Sequence, residues 1–505
     1  MTRMGARELI EVVTDNGSWQ SWDAALPVMA AGDDYARELA SARARTGLDE
    51  SVLTGCALIR GHRVAILVCE FGFLGGSIGV AAGRRLATAV RRATAERLPV
   101  LVLPTSGGTR MQEGATAFLQ MVRITAAINE HKAARLPYLV YLRHPTTGGV
   151  FASWGSLGHL TFAEPGALIG FLGPRVYEAL YRSPFPPDVQ TAENLYEHGI
   201  VDGVCPPDDL RDMVADVLAV ASRQCTRSRH PAATDHADRR DIPAWTSVLA
   251  TRQPDRPGAL DVLDTAIRAV PLHGTGQGEA DRAVIVALAQ FGEASCVVLA
   301  QDRKAQAAGR LIGPAALRQA RRGMRLAAEL GLPLVTLVDT PGGELSATAE
   351  ERGMAGEIAR CIADLLALEV PTVSVLLGQG AGGAALALFP ADRMLGTTHA
   401  WLSPLPPEGA SAILYRTTEH APEMAARQGI RAADLLAHGA LDDIIAERPD
   451  ARKEPAQFCH RVANAIADEL WSLAGVAPAS RLNRRIERFD RLTTESAVPM
   501  IAESA

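Results

Sequence analysis

Cysteine is sparse in this chain and follows no pattern. The seven cysteines fall at 56, 69, 205, 225, 296, 361 and 459, an odd number with no C-x-x-C pair. That spacing excludes a zinc ribbon, and it points to reduced thiols rather than a disulfide framework. Twelve histidines include no pair at metal-ligand spacing on a helix, so a catalytic zinc is not expected. An excess of positive charge is also missing. Fifty-one Lys and Arg face 57 Asp and Glu, for a net charge of −6. This gives no electrostatic ground for nucleic acid or an anionic membrane as partner. Met1 to Asp15 alternates charges and holds no apolar signal core, so a cytoplasmic location is expected.

Long apolar runs are scarce. The uncharged stretch at residues 370–391 has about the length that a bilayer requires, roughly 20 residues. Glycines and proline interrupt it and Gln379 sits near its centre, so a buried strand followed by a buried helix is expected. What remains is an ordinary globular composition, 48 % apolar and 21 % charged over 505 residues, enough for two or three domains. Strand-like runs recur at 64–70, 100–104, 138–143, 283–287, 296–300, 334–339 and 370–377. Helix-like stretches at 81–97, 117–135, 315–330 and 355–367 alternate with them. Such alternation predicts α/β architecture with mostly parallel pairing. Residues 223–241 are polar and contain Pro231, which reads as a surface connection. The boundary is placed near 240, giving domains 1–240 and 241–505.

The most informative feature is a glycine device that occurs twice. Ser106-Gly107-Gly108-Thr109-Arg110 is followed about 40 residues on by Thr146-Thr147-Gly148-Gly149. In the second half Asp339-Thr340-Pro341-Gly342-Gly343 is followed at similar spacing by Gly378-Gln379-Gly380-Ala381-Gly382-Gly383-Ala384. A glycine pair at a strand-to-helix turn leaves main-chain N–H groups unpaired and admits a ligand oxygen. Two such turns in one domain can aim donors at one developing oxyanion. The halves, about 235 residues apart, read as diverged copies of one unit. Two pockets suit a reaction between two carbonyl compounds.

Other patterns fit less well. Gly75-Gly76-Ser77-Ile78-Gly79 matches a nucleophile elbow, but Gly72, Phe73 and Leu74 separate it from the preceding strand. Gly378 to Gly383 matches G-x-G-x-x-G without an acidic residue where a dinucleotide site needs one. Arg110 follows the first glycine turn and Arg352 the second, and an Arg fork can grip a carboxylate. A helix-surface role beside Glu113 or Glu350 is the alternative. Arg84, Arg85, Arg91 and Arg92 recur every seven residues and read as one basic helix face, solvated by default.

Together these residues resemble the carboxyltransferase of biotin-dependent acyl-CoA carboxylases, in the crotonase-like superfamily. The first half is similar to the β subunit of acetyl-CoA carboxylase carboxyltransferase through Glu70–Gly79, Ser106–Glu113 and Ala163–Phe171. The second is similar to the α subunit through Pro254-Asp255-Arg256-Pro257, Val338–Gly342, Ala349–Gly353 and Pro407-Glu408-Gly409. The resemblance spans about residues 5–450. It implies two tandem crotonase (ClpP)-like ββα-spiral domains and carboxyl transfer from carboxybiotin to the α-carbon of a short acyl-CoA, acetyl-CoA or propionyl-CoA, through a thioester enolate. By the resemblance, N–H groups of Gly148 and Gly149 hold the thioester oxygen, and those of Gly383 and Ala384 the biotin ureido oxygen. Arg110 and Arg352 receive the carboxyl group. Gly75, Gly76, Gly107, Gly108, Gly342, Gly343 and Gly382 line the substrate surface, and Leu386 bears on acyl-chain length.

The resemblance also implies separate biotin carboxylase and biotin carboxyl carrier subunits, since no ATP-grasp segment or Met-Lys-Met attachment site is present. It further implies a homodimer or higher oligomer with the active site between protomers. The family's usual four-cysteine zinc ribbon is missing. A malonyl- or methylmalonyl-thioester decarboxylase on the same fold is the alternative, and a catalytically silent scaffold is a third reading.

Overall fold

The computed structural model describes residues 4–24, 33–172, 174–221 and 242–495. The chain divides into two compact units, Met1–Ser222 with Leu272–Ala280, and Arg223–Pro271 with Asp281–Ala505. The expected boundary at 240 and the connection at 223–241 lie outside the described residues.

The first unit is built on a sheet of strands β1 (Gln20–Ser21), β2 (Val52–Ile59), β3 (His62–Cys69), β4 (Val100–Leu103), β5 (Tyr138–Leu142), β7 (Leu160–Ala163) and β9 (Gly203–Val204), hydrogen-bonded in that order. Strands β6 (Thr146–Thr147) and β8 (Ile169–Gly170) form a separate short parallel pair. An antiparallel hairpin, β2–β3, starts the main core and every later pairing is parallel. Arg60 and Gly61, both at positive φ, make its two-residue turn, as the right-handed twist of the flanking strands demands. From Val64 to Cys69 every residue of β3 is buried, because helices cover both faces of such a sheet. Helices α1 (Val80–Ala95) and α2 (Gln120–Ala133) lie between successive strands.

The second unit repeats the plan. Its sheet runs β10 (Arg268–Leu272), β11 (Val284–Phe291), β12 (Ala294–Gln301), β13 (Leu334–Thr340), β14 (Thr372–Ala381), β15 (Arg393–Thr397), β17 (Asp443–Ile445), with β16 (Trp401–Ser403) on the end of β14. Helices α3 (Pro314–Leu330), α4 (Met354–Ala367) and α5 (Gly382–Leu386) connect these strands, and α6 (Pro455–Ala474) and α7 (Pro478–Glu495) follow. The uncharged stretch 370–391 is β14 and α5, mostly buried. Among the described residues no helix is long and apolar enough to cross a membrane.

One expectation about surface charge is corrected. Arg84, Arg91 and Arg92 are exposed, but Arg85 is buried: its guanidinium holds Asp49 and the Val52 carbonyl. Position 85 falls on the buried stripe of this helix with Ala82, Leu86 and Ala89.

Candidate active site

The two glycine devices are one corner built twice. Isolated parallel bridges join Ile78 to Thr109 and Ser106 to Thr146 in the first unit. Ile312 pairs with Gly343 and Thr340 with Gly380 in the second. Every second-unit position lies 234 residues after its counterpart (78 to 312, 109 to 343, 106 to 340, 146 to 380). Gly108 and Gly342 match at φ 111° and 137°, and Gly148 and Gly382 at 63° and 69°. The first pair of values all but excludes a Cβ, and the second is the left-handed region that glycine enters at least cost. The hydroxyl before each turn accepts the same bond. Gly108 N–H donates to Ser106 Oγ at 3.0 Å, and Gly342 N–H to Thr340 Oγ1 at 3.1 Å.

In the first unit three glycine pairs meet. Gly107 N–H donates to the Gly75 carbonyl at 2.9 Å. A Cβ at Gly76 would lie 2.1 Å from the Thr105 oxygen, and one at Gly148 would lie 3.5 Å from the Gly107 oxygen. The corner is therefore bare backbone, closely stacked. Most of its N–H groups are already engaged. Gly148 N–H donates to the carbonyls of Gly170 and Phe171, at 3.2 and 3.1 Å. Gly149 N–H has no partner among the described residues, and its nitrogen lies 3.5 Å from a Cβ built on Gly108.

In the second unit Gly343 comes to Ala384, with 3.5 Å between a Cβ built on Gly343 and that of Ala384. Gly383 and Ala384 sit in the first turn of α5, which has no side-chain cap and no acidic residue. First-turn N–H groups have no intrahelical acceptor, and the helix dipole favours negative charge beside them. Leu386, on the same helix, is exposed.

The arginines are not equivalent. Arg110 is buried, and its fork holds Glu50 bidentately, with Nη1 to Oε2 at 2.9 Å. Its remaining N–H groups go to Ser77 Oγ, the Ser77 carbonyl, Ser51, Tyr35 and Glu113. With every donor engaged, Arg110 receives a substrate carboxyl only if this cluster is broken. Burial, together with the hydrogen bond to Glu113, pushes the Tyr35 phenol up to about 12. The position matching Arg110 in the second unit is Glu344, not Arg352. Arg352 is exposed at the C-terminal end of the helix Ala347–Glu351.

Of the residues that brace the second corner, Gln301 and Gln306 carry no sequence signal of their own. Gln301 and Gln306 are buried and bind the main chain of Asp339 from both sides, Gln301 Oε1 to its N–H and Gln306 Nε2 to its carbonyl, each at 3.0 Å. Arg256, from the Pro254–Pro257 motif, holds Glu447 bidentately at 2.7 and 2.9 Å and donates to the Leu377 carbonyl. Burial opposes the Glu447 charge, yet the Arg256 fork outweighs it and holds that carboxyl at about 2. No cluster of His, Cys, Asp and Glu able to hold a metal occurs among the described residues.

Residues 2–494 match the model of the carboxyl transferase domain. A probable biotin-dependent acyl-coenzyme A carboxylase beta3 subunit of Mycobacterium tuberculosis is 58 % identical over 493 residues, covering 97 % of this chain and 99 % of that one. An acetyl-coenzyme A carboxylase carboxyl transferase subunits beta/alpha protein of Salinispora tropica is 39 % identical, covering 90 % and 84 %. Among solved structures, the transcarboxylase 12S core with hydrolysed methylmalonyl-coenzyme A bound superposes with a TM-score of 0.73 at 18 % identity, over 93 % of this chain and 90 % of that one.

Proposed function

The chain belongs to the carboxyl transferase domain family, and from that premise we propose how its two units share one reaction. The protein is the carboxyltransferase subunit of a biotin-dependent acyl-CoA carboxylase. Carboxybiotin, brought by a separate carrier protein that a separate biotin carboxylase charges, supplies activated CO₂. The acceptor is a short acyl-CoA, acetyl-CoA or propionyl-CoA.

The duplicated corner carries this reading. In the first unit Gly149 N–H, with Gly148 once its bonds to Gly170 and Phe171 are released, binds the thioester oxygen. Charge develops there as the α-carbon becomes an enolate. In the second unit the Gly383 and Ala384 N–H groups bind the ureido oxygen. Donors preset for charge that appears only in the transition state are worth about 10²–10³ in rate each. Uncapped α5 amides and stacked, side-chain-free turns support the assignment, and they fit a planar carbonyl approaching the main chain. Beside Gly149, Gly343 and Gly383 stand Thr109, Met121, Met354, Ala384 and Ile358, none of them a base, which supports a transfer that uses no side-chain base. Arg352 takes the migrating carboxyl group, while Arg110 sets the first turn from beneath. A second copy of the chain completes the site, and the six described free thiols support a reducing, cytoplasmic compartment.

The test is reconstitution. The chain is mixed with biotin carboxylase, biotinylated carrier, ATP, labelled bicarbonate and acetyl-, propionyl- or butyryl-CoA. Label should appear in the α-carboxyl of at least one CoA product. No labelled product, together with biotin-independent CO₂ loss from malonyl-CoA, would overturn the reading in favour of a decarboxylase. A monomeric mass in solution would overturn the shared site.

A further inference from the structure

We propose that Gln301 is a positioning residue for the donors of the second corner, an inference that rests on the transferase reading above. Gln301 ends β12 and is fully buried. Its amide bridges two main-chain segments that are distant in sequence. Oε1 accepts the Asp339 N–H at 3.0 Å, and Nε2 donates to the Ala384 carbonyl at 2.8 Å. The first contact fixes the end of β13, where the Thr340–Gly343 turn begins. The second fixes the residue whose own N–H is a proposed donor.

The helix cannot supply this restraint itself. α5 is only five residues long, and the N–H that would bond the Ala384 carbonyl in a continuing helix, that of Leu388, donates instead to Ala385 at 3.1 Å. The Ala384 carbonyl is thus left to a side chain. Holding it fixes the peptide plane that follows Ala384, and the short first turn of α5 passes that restraint back through the Ala384 dihedrals to its own N–H. A buried amide satisfied at both ends has one orientation, because either rotation strands a polar group.

The first unit shows the contrast. The hairpin position matching Gln301 is Cys69, whose thiol faces the Thr105 N–H but offers no second polar atom. The carbonyl matching Ala384, that of Val150, accepts from Ser153 and Gly155 within its own turn, at 3.3 and 2.9 Å. The first corner is braced locally. In the second, Gln301 joins both parts of the corner.

The test compares Gln301→Glu and Gln301→Met with the same changes at Gln319. Gln319 is equally buried and also bridges main chain, from Asp281 N–H to the Val284 carbonyl at 3.2 and 2.8 Å, away from either corner. Gln301→Glu keeps the acceptor for Asp339 and loses the donor to Ala384, whereas Gln301→Met loses both. In the reconstituted enzyme, kcat should fall at least tenfold in both Gln301 variants, with KM for acyl-CoA within twofold of the parent. The Gln319 variants, at matched thermal midpoints, should keep kcat within threefold. Equal kcat losses at both positions, or an unchanged kcat in the Gln301 pair, would reduce Gln301 to a packing role. A parent enzyme with no transfer activity would instead remove the transferase reading and this inference together.

Discussion

The Asp339 carboxylate accepts the main-chain N–H of Gln379 at 2.9 Å, across the bulge where the β13–β14 register shifts. Position 105 in the first unit matches 339, and position 145 matches 379. There the direction reverses: Thr105 Oγ1 donates to the His144 and Pro145 carbonyls, at 3.0 and 3.3 Å. Proline has no N–H, so a donor stands opposite it, whereas Gln379 has one, so an acceptor does. Gly378 makes room for the carboxylate, since a Cβ there would lie 2.6 Å from Asp339 Oδ1.

This bond should be costly to lose. Asp339→Leu leaves the Gln379 N–H unpaired in a buried bulge, about 1–3 kcal/mol. It also removes the counter-charge 3.6 Å from Arg303 Nη1. A lowered thermal midpoint is expected, together with a kcat loss, because the bulge leads directly into Gly380–Ala384. Asp339→Asn keeps an acceptor and should retain more of both. An Asp339→Leu variant with the parent midpoint would refute this account.

Breaking the Arg110–Glu50 pair should act on the fold before the chemistry. Glu50→Gln leaves a buried guanidinium partly uncompensated, with a cost of roughly 3–5 kcal/mol when such a pair is broken. Denaturant midpoints should drop sharply. Arg110→Lys should drop them similarly, because a point charge cannot replace a bidentate fork.

Arg352→Ala should do the opposite. The side chain is exposed at a short helix end, so stability should stay within about 0.5 kcal/mol. Carboxyl transfer should fall at least a hundredfold while acyl-CoA binding, followed by calorimetry, is kept. Wild-type turnover would end the role assigned to it.

Leu386 should bear on acyl-chain choice. It is apolar and exposed on α5, two residues past Ala384. Leu386→Asp should shift the kcat/KM ratio of longer to shorter acyl-CoA esters at least tenfold toward the shorter. An unchanged ratio would place chain-length selection elsewhere.

Acid should destabilise the first unit through His131. Burial lowers its imidazole to about 4, while Pro137 accepts one ring N–H and Thr94 faces the other nitrogen. Between about 6.5 and 4 the unfolded chain binds a proton that the folded chain refuses. The contribution is therefore full above about 6.5 and is lost as pH falls toward 4. Its ceiling is on the order of 3 kcal/mol. Glu447, depressed to about 2, is lost only at still lower pH. His131→Gln should flatten the thermal midpoint between pH 6.5 and 4, and an unchanged slope would assign the acid sensitivity to other groups.

The duplicated plan was legible because its signals are local. Strands expected at 100–104, 138–143 and 334–339 form at 100–103, 138–142 and 334–340. The helix expected over 117–135 is interrupted at Leu119, giving Gly114–Phe118 and Gln120–Ala133. The strand β2 was not read, because its Thr54-Gly55 centre interrupts the apolar run.

The amino-acid order alone placed glycine at 108, 148, 342 and 382, where the corners take positive φ, and set the 234-residue repeat, since both depend on neighbours along the chain. Folding decided which N–H groups remain available and which arginines are consumed. Those outcomes depend on partners that no local pattern announces: Glu50 is 60 residues from Arg110, and Glu447 is 191 from Arg256. A buried charge must find a counter-charge wherever the fold brings one, and that choice is made only once the sheets have closed over it.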